Sequence, residues 1–226
     1  MGTTGIPEFV DVRELARASR MSARLDVPGG RILVTAPVGT PMPKLLGFLE
    51  RNAEWMRKAM AAVPAAAPFA PGAVLPVFGR DRVVRLAGEG AAGEGDIVVR
   101  DAATAAAEVR RAVAAEVEAR LGAFARDRAA SVGLAPRSVR AANLRAKWGC
   151  CKGGRDIALS WRLAFAPPEI GEYVAAHEVA HLAEMNHHAR FWRLCARLSP
   201  IPPEEAERWL ARNWASLMRY GSNARA

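Results

Sequence analysis

Hydrophobic and polar positions alternate with a period of two near the start of the chain. Residues 21–27 and 31–36 alternate on either side of a Pro-Gly-Gly sequence, which predicts a β-hairpin. Pro43 then begins a segment to about residue 60 in which apolar residues recur at helical spacing. The first part of the chain is therefore expected to contain both strands and a helix.

A Pro- and Ala-rich segment at residues 59–79 separates this part from the next. The segment carries no charge and is long enough to span a membrane, but its prolines would break a helix repeatedly, so we predict a linker. Short apolar runs at 74–78, 82–86 and 96–100 are separated by Gly-rich turns. They predict small strands of a mostly antiparallel sheet.

The second half of the chain is dominated by helical periodicity. Residues 102–131 are rich in Ala, lack Pro and repeat large apolar side chains at offsets of four and three, which predicts a long amphipathic helix with a core face. Further elements are predicted in this order: strands at 138–143 and 157–163 joined by a polar loop, then helices at 169–184, 189–198 and 203–218.

Composition is typical of a globular protein from a reducing compartment. The 226 residues are 51% hydrophobic, and the three cysteines, Cys150, Cys151 and Cys195, form neither a disulfide framework nor a metal-binding pair. No basic region followed by an apolar stretch indicates a signal peptide, so we expect a cytoplasmic protein without a membrane segment. The net charge of +9 is compatible with nucleic acid as a partner. No nucleic-acid-binding motif indicates that partner.

All four histidines lie within twelve residues, and two of them frame a His-Glu-x-x-His sequence formed by His177, Glu178 and His181. On a helix, an offset of four residues places both imidazoles on one face, about 6 Å apart, where one zinc ion can bridge them. The surrounding residues are apolar, and a buried pair of histidines needs partners. The pattern therefore favours a catalytic zinc site over surface histidines without a metal.

A catalytic zinc site requires a third protein ligand and leaves one position for water. An unbroken helix would carry the later candidates too far along its axis, so we expect the chain to turn back near Asn186, a residue type that tolerates a helix end. His187 is then the preferred third ligand, and His188 is the alternative. Glu178, to the side of the imidazoles, can act as general base on the zinc-bound water.

Several segments resemble, in order, the YgjP-like metallopeptidases, a family that is similar to the SprT-like zinc proteases. The segments are Lys-Trp-Gly-Cys-Cys at 147–151, Ile-Ala-Leu-Ser-Trp-Arg-Leu at 157–163, Ala-Pro-Pro at 166–168, the helix sequence at 173–182 that contains His-Glu-x-x-His, and Met-Asn-His-His-Ala-Arg-Phe-Trp at 185–192. The resemblance implies an α+β, zincin-like metallopeptidase fold, with an N-terminal β-hairpin or small antiparallel sheet plus helices and an active-site helix that bears the motif.

The resemblance also implies a domain organisation and a set of site residues. It implies a single metallopeptidase domain over 18–220, with an N-terminal αβ part at about 18–100 and a zinc-binding part at about 101–220. It further implies Zn²⁺ ligands at His177, His181 and His187 and a general base at Glu178, in agreement with the spacing argument.

The sequence thus predicts a zinc metallopeptidase that cleaves a peptide or protein substrate by a Glu-activated, zinc-bound water. Two alternatives are a zinc hydrolase of nucleotide or other phosphate substrates and a DNA-associated, SprT-like protease. The chain has no Walker-type loop to support the first and no zinc ribbon or helix-turn-helix to support the second. The identity of the substrate and the oligomeric state are not predicted.

Two further features have both a functional and a structural interpretation. Arg145 is a candidate contact for the substrate carboxylate or the oxyanion, and a strand-end ion pair is the alternative. Residues 157–161 are either an edge strand against which an extended peptide lies or an interior strand.

Overall fold

The computed structural model describes residues 6–26, 30–88, 93, 95–153 and 155–221. The chain divides into two compact units, and the boundary between them lies between Ala67 and Pro68. Strands and helices occur in both units, so the α+β composition that the sequence predicts is present. None of the helices in the described ranges is both long enough and apolar enough to cross a membrane.

The first unit contains a three-stranded sheet in the order β1-β3-β2, formed by β1 (Val10–Leu15), β2 (Ser22–Asp26) and β3 (Arg31–Pro37). Strands β2 and β3 pair antiparallel, which confirms the predicted hairpin, although residues 27–29 of its turn lie outside the described residues. Strand β1 pairs parallel with β3 and was not predicted. Its sequence is largely polar because most of its side chains are partly or fully exposed.

Two helices, rather than the single predicted one, follow this sheet. Helix α1 (Met42–Arg51) and helix α2 (Ala53–Ala61) are separated at Asn52, whose side-chain amide donates a 2.7 Å hydrogen bond to the backbone oxygen of Phe48. Such a side-chain bond competes with the helical pattern, which apolar periodicity alone does not reveal. The core of this unit consists of Val10, Ile32, Val34, Leu45, Leu49 and Met56.

The second unit begins with a three-stranded sheet of β4 (Val74–Val77), β5 (Arg80–Leu86) and β6 (Ile97–Val99), in that order. Strands β4 and β5 pair antiparallel as predicted, but β5 and β6 pair parallel, so the expectation of a mostly antiparallel sheet is wrong for β6. Alternation of side chains sets which face of a strand is buried, and it carries no information on strand direction.

A second small sheet lies further along the unit and has the order β7-β9-β8. Strand β9 (Asp156–Ser160) pairs parallel with β7 (Ser138–Ala142) and antiparallel with β8 (Gly149–Lys152). The segment 157–161 is therefore interior, and its interpretation as an edge strand is wrong. Strand β8 was missed because it is short and contains Gly and two Cys, and the predicted strand 157–163 ends early in a 3₁₀ helix, Trp161–Phe165.

Four helices complete the second unit: α3 (Ala105–Ala130), α4 (Pro168–Ala180), α5 (Ala189–Leu198) and α6 (Pro203–Met218). Of the apolar positions predicted for the core face of α3, Val109, Val113, Val117 and Leu121 are buried, and Phe124 is partly buried. Helices α3 and α4 pack so closely that a Cβ on Gly171 would lie 3.2 Å from Leu121 Cδ1. This close packing fixes the position of α4, the helix that carries His177 and Glu178.

Arg162 is a buried cation in the 3₁₀ helix of this unit, and only 1% of it is exposed. Its Nε donates a 2.9 Å hydrogen bond to the backbone oxygen of Tyr220, and its Nη1 donates a 2.8 Å bond to Asn143 Oδ1. The guanidinium carbon also lies 4.3 Å from the ring centroid of Trp161. Arg162 thus links the 3₁₀ helix to Tyr220 and to the connection that follows β7.

Candidate metal centre

Three histidine side chains converge at the C-terminal end of α4. His177 lies in the last turn of α4, His181 caps the helix, and His187 lies in the connection to α5. One nitrogen from each ring lies within 4.8 Å of the other two, and Nε2 of His187 is 3.1 Å from Nε2 of His177. His188 is exposed and occupies the N-cap position of α5, where its side chain makes no capping hydrogen bond. The three imidazoles form a group that can hold a metal ion.

The convergence follows from the early end of α4. The helix ends at Ala180, before the predicted end at residue 184, and the chain turns earlier than the predicted position near Asn186, so that His187 returns towards His177. Phe191 of α5 is fully buried, and its ring centroid lies 4.5 to 4.8 Å from those of the three imidazoles. Sequence reasoning missed this contact of Phe191 with the histidines.

The protonation states of His177 and His181 suit metal binding. Burial, together with the smaller effects of the neighbouring His181 and His187, lowers the pKa of His177 to about 4. Burial also lowers the pKa of His181, whose Nδ1 lies 3.1 Å from the backbone oxygen of Glu184. Near pH 7 these rings are therefore neutral, which is the form that ligates a metal. An imidazole that bonds through its second nitrogen also has a fixed ring orientation.

Glu178 is a buried carboxylate beside the histidines, and 5% of the residue is exposed. Burial raises its pKa to about 7, whereas Lys147 and the backbone amide of Cys151 act in the opposite direction. Among the described residues, its Oε2 atom is buried and has no hydrogen-bond partner. A buried polar atom of this kind requires a hydrogen-bond partner such as water or a ligand. The residues present therefore fit a site that binds a metal ion together with water.

Strand β8 approaches Glu178 closely, and this approach requires a glycine. A Cβ built on Gly149 would lie 2.5 Å from Glu178 Oε1 and 2.7 Å from its Cγ atom, both far inside normal contact distance. The backbone of β8 therefore packs directly on the carboxylate. Gly149 lies in one of the segments that carry the family resemblance, and this was the sequence signal for the contact.

A cleft of about 330 Å³, which we call the tryptophan cleft, adjoins His177 and Glu178. Its other walls include Lys147, Trp148, Tyr173, Glu207, Leu210 and Trp214. The rings of Trp148 and Trp214 meet edge to face with centroids 4.7 Å apart. Trp214 is only partly buried because one side of it borders the cleft.

Tyr173 joins the metal centre to the tryptophan cleft. Its hydroxyl oxygen lies 3.5 Å from Nδ1 of His177, and its O–H donates to Oε1 of Glu207 at 3.3 Å. Burial raises the pKa of Tyr173, and the carboxylate of Glu207 raises it further, so the hydroxyl keeps its proton. Sequence reasoning missed both residues, although Tyr173 precedes His177 by one helical turn.

Arg145 is exposed in the connection between β7 and β8. Its neighbours Lys147 and Trp148 line the tryptophan cleft. A contact between Arg145 and substrate stays a prediction.

The α+β fold and a site that combines three imidazoles with a buried carboxylate are typical of metal-dependent hydrolases. Compared with known families, the chain matches the one described as YgjP-like, metallopeptidase domain, over residues 21–213. The match covers most of the chain, so the chain belongs to the YgjP-like metallopeptidase family, as its motifs predicted. No curated protein matches the chain, and no solved structure does.

Proposed function

We propose that the chain is a zinc-dependent metallopeptidase that cleaves a peptide bond without a covalent intermediate. The observation that carries this proposal is the convergence of three imidazole nitrogens within 4.8 Å of one another, beside the buried carboxylate of Glu178. Membership of a metallopeptidase family supports the same reaction class.

His177, His181 and His187 would hold the zinc ion. When bound, zinc acts as a Lewis acid that polarises the substrate carbonyl and lowers the pKa of water. The contact of His181 with the backbone oxygen of Glu184 and the contacts of all three rings with Phe191 orient the imidazoles for this role.

Glu178 would carry the proton. Its pKa of about 7 lies near neutral pH, so the side chain can both accept and return a proton there. In the proposed reaction the oxygen of water attacks the carbonyl carbon, Glu178 takes the proton from that water, and the proton then passes to the amine as the carbon–nitrogen bond breaks. The contact with β8 excludes solvent from one side of the carboxylate and holds it in place.

The test compares wild type with Glu178→Gln, His187→Ala and the matched control His188→Ala, with zinc content measured in each protein. Each protein is incubated with a peptide library and with a panel of nucleotides. We expect Glu178→Gln to keep zinc but to lose hydrolysis by roughly 10²- to 10⁴-fold. We expect His187→Ala to lose zinc and His188→Ala to keep both zinc and activity.

Three outcomes would each contradict part of the proposal. Peptide cleavage by Glu178→Gln at the wild-type rate would remove Glu178 from the mechanism. If wild type hydrolyses nucleotides instead of peptides and Glu178→Gln does not, the protein is a hydrolase of phosphate esters. Zinc retained by His187→Ala and lost by His188→Ala would assign the third ligand to His188.

A further inference from the structure

The tryptophan cleft lies where a substrate side chain would be placed. His177 and Glu178 form part of its wall, so a bond cleaved beside Glu178 would have a neighbouring residue at the mouth of the cleft. The volume of about 330 Å³ is sufficient for a long side chain. The residues that line the cleft are therefore in a position to select which substrate residue is accepted.

One part of the cleft is apolar and aromatic. Trp148 and Trp214 meet at 62° with ring centroids 4.7 Å apart, and the buried residues Val174 and Leu210 add aliphatic surface. Walls of this kind favour the aliphatic stem of a Lys or Arg side chain as much as a fully apolar side chain. The indole rings also attract a cation that passes over their faces.

The α6 side of the cleft is acidic. Glu207 lines the cleft, and its Oε1 accepts the hydrogen bond from Tyr173, a bond that fixes the direction of the carboxylate. Glu204 precedes it by almost one turn of α6. Lys147, the basic residue of the wall, acts electrostatically on Glu178. The two charges of the cleft wall thus lie at different places: the Glu207 carboxylate on α6 and the Lys147 ammonium group near Glu178.

This arrangement discriminates between classes of side chain. A fully apolar side chain would desolvate the carboxylate of Glu207 without pairing it, and an acidic side chain would be repelled by it. A cationic side chain can place its stem on the tryptophans and form a charge-assisted hydrogen bond with Glu207.

We propose that the tryptophan cleft is a substrate subsite for a Lys or Arg side chain adjacent to the scissile peptide bond, with Glu207 as the residue that selects the positive charge. The proposal rests on the proposed peptidase function for the position of the scissile bond, but binding to the cleft can be measured without cleavage.

The first test is a binding measurement on zinc-loaded Glu178→Gln protein, which is expected not to hydrolyse the ligand. Two capped tripeptides, Ala-Arg-Ala and Ala-citrulline-Ala, differ in charge but hardly in shape, and calorimetry gives their affinities. We expect the Arg peptide to bind about two- to fivefold more tightly, the range of a partly exposed ion pair.

Variants at α6 identify the source of the difference. Glu207→Gln should bring the affinities of the two peptides together, and Glu207→Lys should reverse their order. Tyr173→Phe is the matched control, because it removes the hydrogen bond that directs the Glu207 carboxylate but keeps the negative charge of that residue. It should retain the preference for Arg. Circular dichroism of each variant establishes that it is folded.

The second test is cleavage of a peptide library by the wild-type protein and by Glu207→Lys. Enrichment of Lys and Arg at one position beside the cleaved bond, lost in Glu207→Lys, is the expected result. Equal binding of the two tripeptides, or a preference that Glu207→Gln leaves unchanged, would overturn the subsite even if Glu178-dependent cleavage is found. Preferential binding of the Arg peptide without cleavage of any peptide would support the subsite and contradict the peptidase function.

Discussion

Replacing Gly149 with Ala tests whether the backbone of β8 sets the position of Glu178. The added Cβ would lie 2.5 Å from Oε1, 2.7 Å from Cγ and 2.8 Å from Cδ of Glu178. Carbon atoms in normal contact are about 3.5–4.0 Å apart, so the carboxylate or the strand must move by roughly 1 Å. Gly149 is not among the residues with positive φ, and an Ala there therefore causes no backbone strain of its own.

The size of the effect follows from the burial of Glu178. Only 5% of the residue is exposed, so the side chain has little free space into which to retreat. Overpacking of this kind costs about 1–3 kcal/mol of unfolding free energy. A shift of about 1 Å in a reacting group costs roughly 10²-fold in rate. We therefore expect Gly149→Ala to lose about two orders of magnitude in kcat/KM for the proposed hydrolysis while the three histidines still bind zinc.

The assay measures kcat/KM, zinc content and the urea midpoint for Gly149→Ala and for the control Gly153→Ala. Gly153 follows the same strand, and a Cβ there meets no heavy atom within 4 Å, so the control should match wild type in all three measurements. Wild-type activity in Gly149→Ala would refute the inference that β8 positions Glu178. Loss of zinc together with activity would show that the disturbance extends to the imidazoles.

Two further predictions concern stability. Arg162→Ala should lower the free energy of unfolding in urea by about 3 kcal/mol or more, because Asn143 and Tyr220 lose a buried, charged donor; an unchanged midpoint would contradict this. Hydrogen bonding, first from Arg137, lowers the pKa of Asp156 from 3.8 to about 2, so its stabilising contribution is present above pH 4 and is lost as the pH falls towards 2. Asp156→Asn should make the melting temperature less dependent on pH in that range. An unaltered pH dependence would contradict a stabilising role for the Arg137–Asp156 ion pair.

Helices with a strong apolar period could be predicted closely from the sequence. The bounds of α5 and α6 agree with the predicted ranges 189–198 and 203–218, because each helix buries one face and exposes the other. Strands β1 and β8 could not be predicted in this way. Most of β1 is exposed. In β8 the partly buried residues are a glycine and two cysteines, so neither strand shows an alternation of apolar and polar residues.

The candidate site was predictable in its local part and not in its tertiary part. The spacing of His177 and His181 follows from one helical turn, and the return of His187 follows from a turn that must end the helix. The positions of Glu207 and of Trp214 depend on how α6 packs against α4, and no spacing along the chain encodes that contact. The residues that line the tryptophan cleft therefore could not be predicted from the sequence.

Metal binding and proton transfer, the two functions proposed for α4, depend on different faces of the helix. Mutations should therefore be able to separate them. His177 and His181 share one face and meet the connection that carries His187, whereas Glu178 is rotated by about 100° from His177 and meets the backbone of β8. The metal ligands thus come from a single local segment, but the surroundings of the proposed base come from a strand that precedes α4 in the chain. Changes in β8 should therefore impair proton transfer with zinc retained, whereas changes in the connection between α4 and α5 should impair zinc binding first.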